Sequence, residues 1–250
     1  MTRPRITLEV CVESVEDARA AERGGADRLE LCSALDLGGL TPSLGLYQAV
    51  RAAVRLPIVV MLRPRGGDFV YSDFELDVMR RDLELFLPHQ PDGFVFGPLL
   101  PDGRVNGDAA GKLRQLCGTR QTVFHLAFDR TPKLVDAIDE LVRLSFTRVL
   151  TSGREQTATA GVEKIKKVMS HAAGRIEILP CGKVRAENAV AILEGTGCTQ
   201  LHGSFAEAVP ASDERGHRGY DGRSRTGGDA VLATRRAIHH WSVRDSSASG

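Results

Sequence analysis

The residues able to do chemistry come in matched pairs. Glu9 and Cys11 stand two positions apart, and so do Glu30 and Cys32. In an extended strand that spacing puts both side chains of a pair on one face. If the two segments pair as neighbouring strands in matched register, Glu9 stacks beside Glu30 and Cys11 beside Cys32, within about 5 Å. Two carboxylates held together raise one pKa unless cations meet them. Two thiols held together, with His202 on a strand flanking the first, make a soft sulfur and nitrogen group suited to Cu(I) and less well to zinc. Taken singly, each cysteine reads first as a small buried hydrophobe, and it is their adjacency that raises the metal reading.

The cations follow an apolar run. Leu56 to Leu62 ends in Arg63-Pro64-Arg65-Gly66-Gly67-Asp68-Phe69, residues that cannot continue a strand. Forked guanidinium donors suit carboxylate or phosphate, so Arg63 and Arg65 read either as anion anchors or as braces paired with nearby acids, Glu9 and Glu30 being the candidates. Arg65, further out and without an assigned acid, is expected to be the anion anchor. His125 and Asp129, just past another apolar run, are candidates for proton transfer beside Glu30. Thr151-Ser152-Gly153, Gly182 and Ser204 sit where backbone N–H groups could hold an oxyanion, and the same glycines suit ordinary turns. Cys181 and Lys183 stand nearby, whereas Cys117 and Cys198 are expected in the core.

Positioning these residues needs many short strands. Apolar segments at Ile6–Val12, Arg28–Cys32, Leu56–Leu62, Gly93–Phe96, Gln121–His125, Arg148–Thr151, Arg175–Leu179 and Gln200–His202 alternate with stretches of helical spacing. The helices open on Ser14 and Ser43 and near Asp73, Asn106, Lys133, Val162 and Arg185, and a last one is expected over Asp229–Trp241. Eight alternating pairs, with strands apolar on both faces, predict an α/β fold: a single (β/α)8 TIM-type barrel, against a doubly wound open sheet as the alternative. Each chemical residue above then falls at a strand's C-terminal end, the mouth of such a barrel. One domain is expected over residues 1–245. Ala206–Gly228 reads as a long polar loop before the last helix, disordered over Arg223–Gly228, and 246–250 as a frayed tail.

Composition removes whole classes of function. With 33 basic and 32 acidic residues among 250, a net charge of +1 gives no field for nucleic acid or an anionic membrane surface. No run approaches the roughly 18 apolar residues of a membrane span. Five scattered cysteines and an N-terminus without an apolar leader segment predict a reducing, cytoplasmic setting.

Several long motifs occur in order: Leu8-Glu9-Val10-Cys11, Gly25 to Ser33, Gly38-Gly39-Leu40-Thr41-Pro42-Ser43, Met61 to Phe69, Phe94-Val95-Phe96-Gly97 and Leu150-Thr151-Ser152-Gly153. Together they resemble the CutC copper homeostasis family, from about Leu8 to Ser204. The resemblance implies a cytoplasmic TIM-type barrel, often a homo-oligomer, that binds copper as Cu(I) through Cys11 and Cys32. Two positions depart from the family pattern. Leu126 stands where an arginine usually follows the histidine, and Pro180-Cys181-Gly182-Lys183 replaces a glycine-rich turn.

Two functions are therefore expected to compete. One is a copper homeostasis protein holding Cu(I) on Cys11, Cys32 and His202. The other is an enzyme on a small anionic metabolite, with Arg63 and Arg65 as anchors, Glu30, His125 and Asp129 moving protons, and Glu9, Asp68, Thr151, Ser152, Gly153, Gly182 and Ser204 lining the site.

Overall fold

The computed structural model describes residues 5–208 and 224–244. Short apolar strands and serine-capped helices follow one another as the sequence pattern requires. β1 (Thr7–Val12) leads to α1 (Val15–Arg23), where Ser14 accepts from Asp17 N. β2 (Arg28–Leu31), α2 (Leu44–Ala53), β3 (Ile58–Met61) and α3 (Asp73–Phe86) follow, with Ser43 capping α2 and a Ser72–Glu75 capping box opening α3. β4 (Gly93–Phe96), α4 (Gly107–Leu116), β5 (Gln121–Phe124) and α5 (Leu134–Arg143) continue the alternation. β6 (Arg148–Thr151), α6 (Val162–Ala172), β7 (Glu177–Pro180), α7 (Ala186–Thr196) and β8 (Gln200–Gly203) complete it.

The eight strands lie in the order β7-β6-β5-β4-β3-β2-β1-β8, every ladder parallel, and β7 lies beside β8 to close the ring. This is the (β/α)8 barrel that the pattern predicts. Strand parity divides the side chains. Leu8, Val10, Leu29, Ile58, Phe94, Phe124 and their counterparts face outward and pack with the helices in one continuous core. The inward residues are mixed. Val59, Met61, Val95 and Val123 form an apolar wall with Cys32, while the other side of the barrel carries charged and amide groups.

The matched stacking of the first two strands does not occur. Glu9 lies opposite Arg28, and Cys11 opposite Glu30, because closing a barrel staggers neighbouring strands. Glu9 therefore meets a cation rather than a second acid, and Cys11 a carboxyl rather than a second thiol.

After β8, β9 (Ala206–Ala208) pairs antiparallel with β10 (Ser224–Thr226), and α8 (Gly228–Arg244) packs on α7 and α1. The expected disorder over Arg223–Gly228 is corrected for the part described. Arg225 opposes Glu207 in the ladder, Thr226 N–H donates to buried Asp17 at 2.7 Å, and Gly227 N–H donates to Phe205 O. These backbone partners, invisible to composition, hold the segment. Residues 209–223 of the expected loop and the 246–250 tail lie outside the described residues. No described helix is long and apolar enough to cross a membrane.

Candidate functional site

The barrel interior is built in two tiers. In the lower tier Glu9 lies against Arg28 and 3.9 Å from Arg148 Nη1. Arg28 also donates to Gln200 Oε1 at 3.1 Å, and Arg148 to Gln121 Oε1 at 2.6 Å and Glu177 Oε2 at 3.1 Å. Burial alone would raise the Glu9 pKa. Arg28, then His202 and Arg148, outweigh it and hold the carboxyl well below the usual range.

The upper tier opens at the mouth. Pocket-lining residues Cys11, Glu30, Cys32, Met61, Arg63, His125, Leu150, His202 and Ser204 enclose a chamber of about 300 Å³. Cys11, Glu30 and His202 each bring one potential ligand atom within 4.8 Å of the others. His202 Nδ1–H donates to Glu9 Oε1 at 2.8 Å, which turns Nε2 toward Glu30 Oε2, 3.9 Å away. Burial opposes a charged His202, but Glu30 first and then Cys11 and Glu9 raise its pKa well above the usual value. Cys32 Sγ–H donates to Glu30 Oε2 at 3.6 Å. Burial, then Glu30 and Cys11, pushes the Cys32 thiol well up. Burial also raises Glu30, whose Oε1 is sealed from water without a partner. Cys181 is buried with Leu150 and Leu179, and burial followed by Asp129 raises its thiol as well.

The two arginines part company. Arg63 turns inward, only 4% exposed, and donates through Nη1 to Leu37 O and Gly39 O and through Nη2 to Gly67 O. It braces the mouth as one reading expected, but on backbone carbonyls; the partners Glu9 and Glu30 are taken by other cations or lie beyond ion-pair reach. Arg65 stays in the loop, held by Glu75 at 2.5 Å and Asp68 at 2.9 Å and donating to the carbonyls of Gly66, Asp68 and Val70. Those partners occupy the guanidinium that was expected to take an anion.

His125 accepts from Ala127 N at 3.2 Å through Nδ1 and caps the short 3-10 turn Leu126–Arg130. Its proton therefore sits on Nε2, which is buried and unpartnered. Burial, with Arg63 adding to it, lowers the His125 pKa to about 3, so the ring is neutral near pH 7. Gly97 makes room for it: a Cβ there would stand 2.5 Å from His125 Nδ1. Phe69 packs on both Arg63 and His125, its ring centroid 5.0 Å from the guanidinium carbon and 4.9 Å from the imidazole.

Asp129 is engaged in holding β6. It accepts from Thr151 Oγ1, from Ser152 N at 2.7 Å and from Ser152 Oγ at 2.8 Å. Gly153 N donates to Thr151 Oγ1 and Cys181 N to Thr151 O, so these N–H groups already have acceptors. Gly182, with φ +103°, passes against Ala158, and its carbonyl accepts from Ala158 N. Asp68 and Ser152 instead border a second, outer cleft of about 1000 Å³ that shares Arg63 and Phe69 with the chamber. Sequence reasoning missed Arg28, Arg148, Phe69 and Gly97. A basic residue inside an apolar strand was the available signal for the first two.

Comparison with known proteins identifies the family of this barrel. The CutC family model matches residues 6–207. The chain belongs to the CutC family. A copper homeostasis protein cutC homolog from Homo sapiens is 47% identical over 195 residues, covering 78% of this chain and 71% of that protein. A CutC family protein of Treponema denticola is 46% identical over 197 residues, covering 79% and 80%. The crystal structure of a CutC protein from Streptococcus agalactiae superposes with a TM-score of 0.75 at 36% identity, covering 80% of this chain and 98% of that one. At 11% identity, phosphoribosylanthranilate isomerase from Thermotoga maritima, with a TM-score of 0.59, shares the fold of this CutC chain and nothing finer.

Proposed function

We propose that this CutC-family protein binds copper in the upper tier of its barrel, with Cys11 and His202 as the principal ligands and Glu30 and Cys32 beside them. The cluster of Cys11, Glu30 and His202, with ligand atoms within 4.8 Å of one another, carries the reading. Two features support it. Glu9 grips the far nitrogen of His202, the arrangement in which an outer carboxylate orients a metal-binding imidazole. Glu30 Oε1 is a buried oxygen with no partner, available to a cation.

The donor chemistry suits copper in its reduced form. Thiolate and imidazole favour Cu(I), and the second sulfur, Cys32, stands at Glu30 rather than directly against Cys11. The copper homeostasis name carried by the human relative points the same way.

Anaerobic titration of the reduced protein against a chromophoric Cu(I) chelator tests the reading. About one Cu(I) per chain is expected, and Cys11→Ser should weaken uptake at least 100-fold. Tight stoichiometric uptake by a Cys11→Ser, His202→Asn double variant would falsify it.

A further inference from the structure

Among the described residues three buried side-chain N–H donors lack acceptors; Arg148 Nη1 stands 3.9 Å from Glu9 in the lower tier, and the other two belong to residues lining the inner chamber. Arg63 Nε and His125 Nε2 are sealed from water and make no hydrogen bond. Arg63 has a further peculiarity. Among the described residues, no carboxylate forms an ion pair with it, although its side chain is buried; its two other nitrogens face only carbonyl oxygens. The Tyr71 hydroxyl, buried and without a geometric partner of its own, neighbours the guanidinium and is the one neutral oxygen that could share it, but it brings no negative charge. A buried cation that lacks a counter-charge is costly, and a buried donor that lacks an acceptor costs about 1–3 kcal/mol. Both costs vanish if an anion sits between them.

We propose that the inner chamber binds a small organic monocarboxylate, one oxygen taking the proton of Arg63 Nε and the other that of His125 Nε2. The Phe69 ring lies 5.0 Å from the Arg63 guanidinium carbon and 4.9 Å from the His125 ring, and both side chains line the same chamber. The same lining includes Leu35, Met61 and Leu150, apolar groups available to the ligand's carbon skeleton. A volume of about 300 Å³ equals roughly ten water volumes, which sets the size class at about ten non-hydrogen atoms or fewer.

The donor set selects a carboxylate over a phosphate. A phosphoryl dianion calls for several charge-assisted donors, and the groups that would add them are committed. Arg65 is bound to Glu75 and Asp68, and the Ser152 and Gly153 N–H groups serve Asp129 and Thr151. Glu30 in the same chamber disfavours a second negative charge. Access is from the outer cleft, which meets the chamber at Arg63 and Phe69.

This inference does not rest on the copper reading, and its test uses the full chain stripped of metal by a chelator. Thermal unfolding and calorimetric titration are carried out with pyruvate, lactate and butyrate, with butyramide and butanol as uncharged counterparts, and with inorganic phosphate. At least one carboxylate at 10–20 mM (roughly 100 times a Kd of about 0.1–0.2 mM) should raise the melting temperature by several degrees, and the amide and alcohol should not. Arg63→Met should abolish the shift. Because Arg63 also braces the mouth loops, His125→Asn is the cleaner variant: asparagine still caps the 3-10 turn but presents no donor at the Nε2 position. It should fold cooperatively, keep its Cu(I) uptake and lose about tenfold in carboxylate affinity. No stabilisation by any carboxylate, a larger response to phosphate, or unaltered carboxylate affinity in folded His125→Asn would overturn the proposal.

Discussion

The two tiers of one barrel interior handle charge in opposite ways. In the lower tier Glu9, Arg28, Arg148, Glu177, Gln121 and Gln200 form a nearly saturated network; of its fully buried side-chain atoms only Arg148 Nη1 lacks a hydrogen bond, and it stands 3.9 Å from Glu9. Some 6 Å along the strands, two residues further on, Glu30 Oε1, Arg63 Nε and His125 Nε2 have no partners at all. β2 and β5 feed both sets, with Arg28 and Glu30 on one and Gln121 and His125 on or just after the other, whereas Arg63 follows β3. The difference teaches where stability ends and function begins: a saturated polar layer plugs the barrel, and an unsaturated one above it waits for a ligand. Glu9 and His202 join the tiers, since the plug's carboxylate also orients the chamber's imidazole.

Mutations can break that contrast. Glu9→Leu removes the counter-charge of two buried arginines, so chemical denaturation should show a loss of about 3–5 kcal/mol, with copper binding lost alongside. A plug variant of near-normal stability would mean that the lower tier does not hold the fold. Acid unfolding sharpens the other side. His125 is neutral and buried with a pKa of about 3, against about 6.5 in an unfolded chain, so below pH 6.5 only the unfolded state takes up its proton. Stability should therefore fall by about 1.4 kcal/mol per pH unit from this residue alone between pH 6.5 and 3, and His125→Asn should remove that slope. Glu9→Gln, which keeps the shape but drops the charge that orients His202, should cost about 10–100-fold in Cu(I) affinity, read by chelator competition. The smallest effect is expected at Arg65→Ala. Asp68 is well exposed and Arg65 and Glu75 are partly so, which screens both pairs, so the melting temperature should move by no more than about 2 °C and carboxylate binding should be unchanged.

Much of this was legible before any coordinates. Strand parity at Glu9 and Cys11 and at Glu30 and Cys32, and serines standing before apolar periodicity, are local properties of the chain; they determined the elements, the barrel and the end of it that carries chemistry. The family motifs pointed to the same fold. What the sequence could not express is register between strands far apart in the chain. A two-residue stagger exchanged the partners of Glu9 and Cys11, replacing a dithiol by a cysteine, a carboxyl and a histidine. Nor could it say which arginine would be satisfied: Arg63 and Arg65 are alike in type and neighbourhood, and only the fold brought Glu75 to one of them and left the Nε of the other bare. Local pattern is written in residues a few positions apart, whereas the satisfaction of a buried donor depends on every element packed around it.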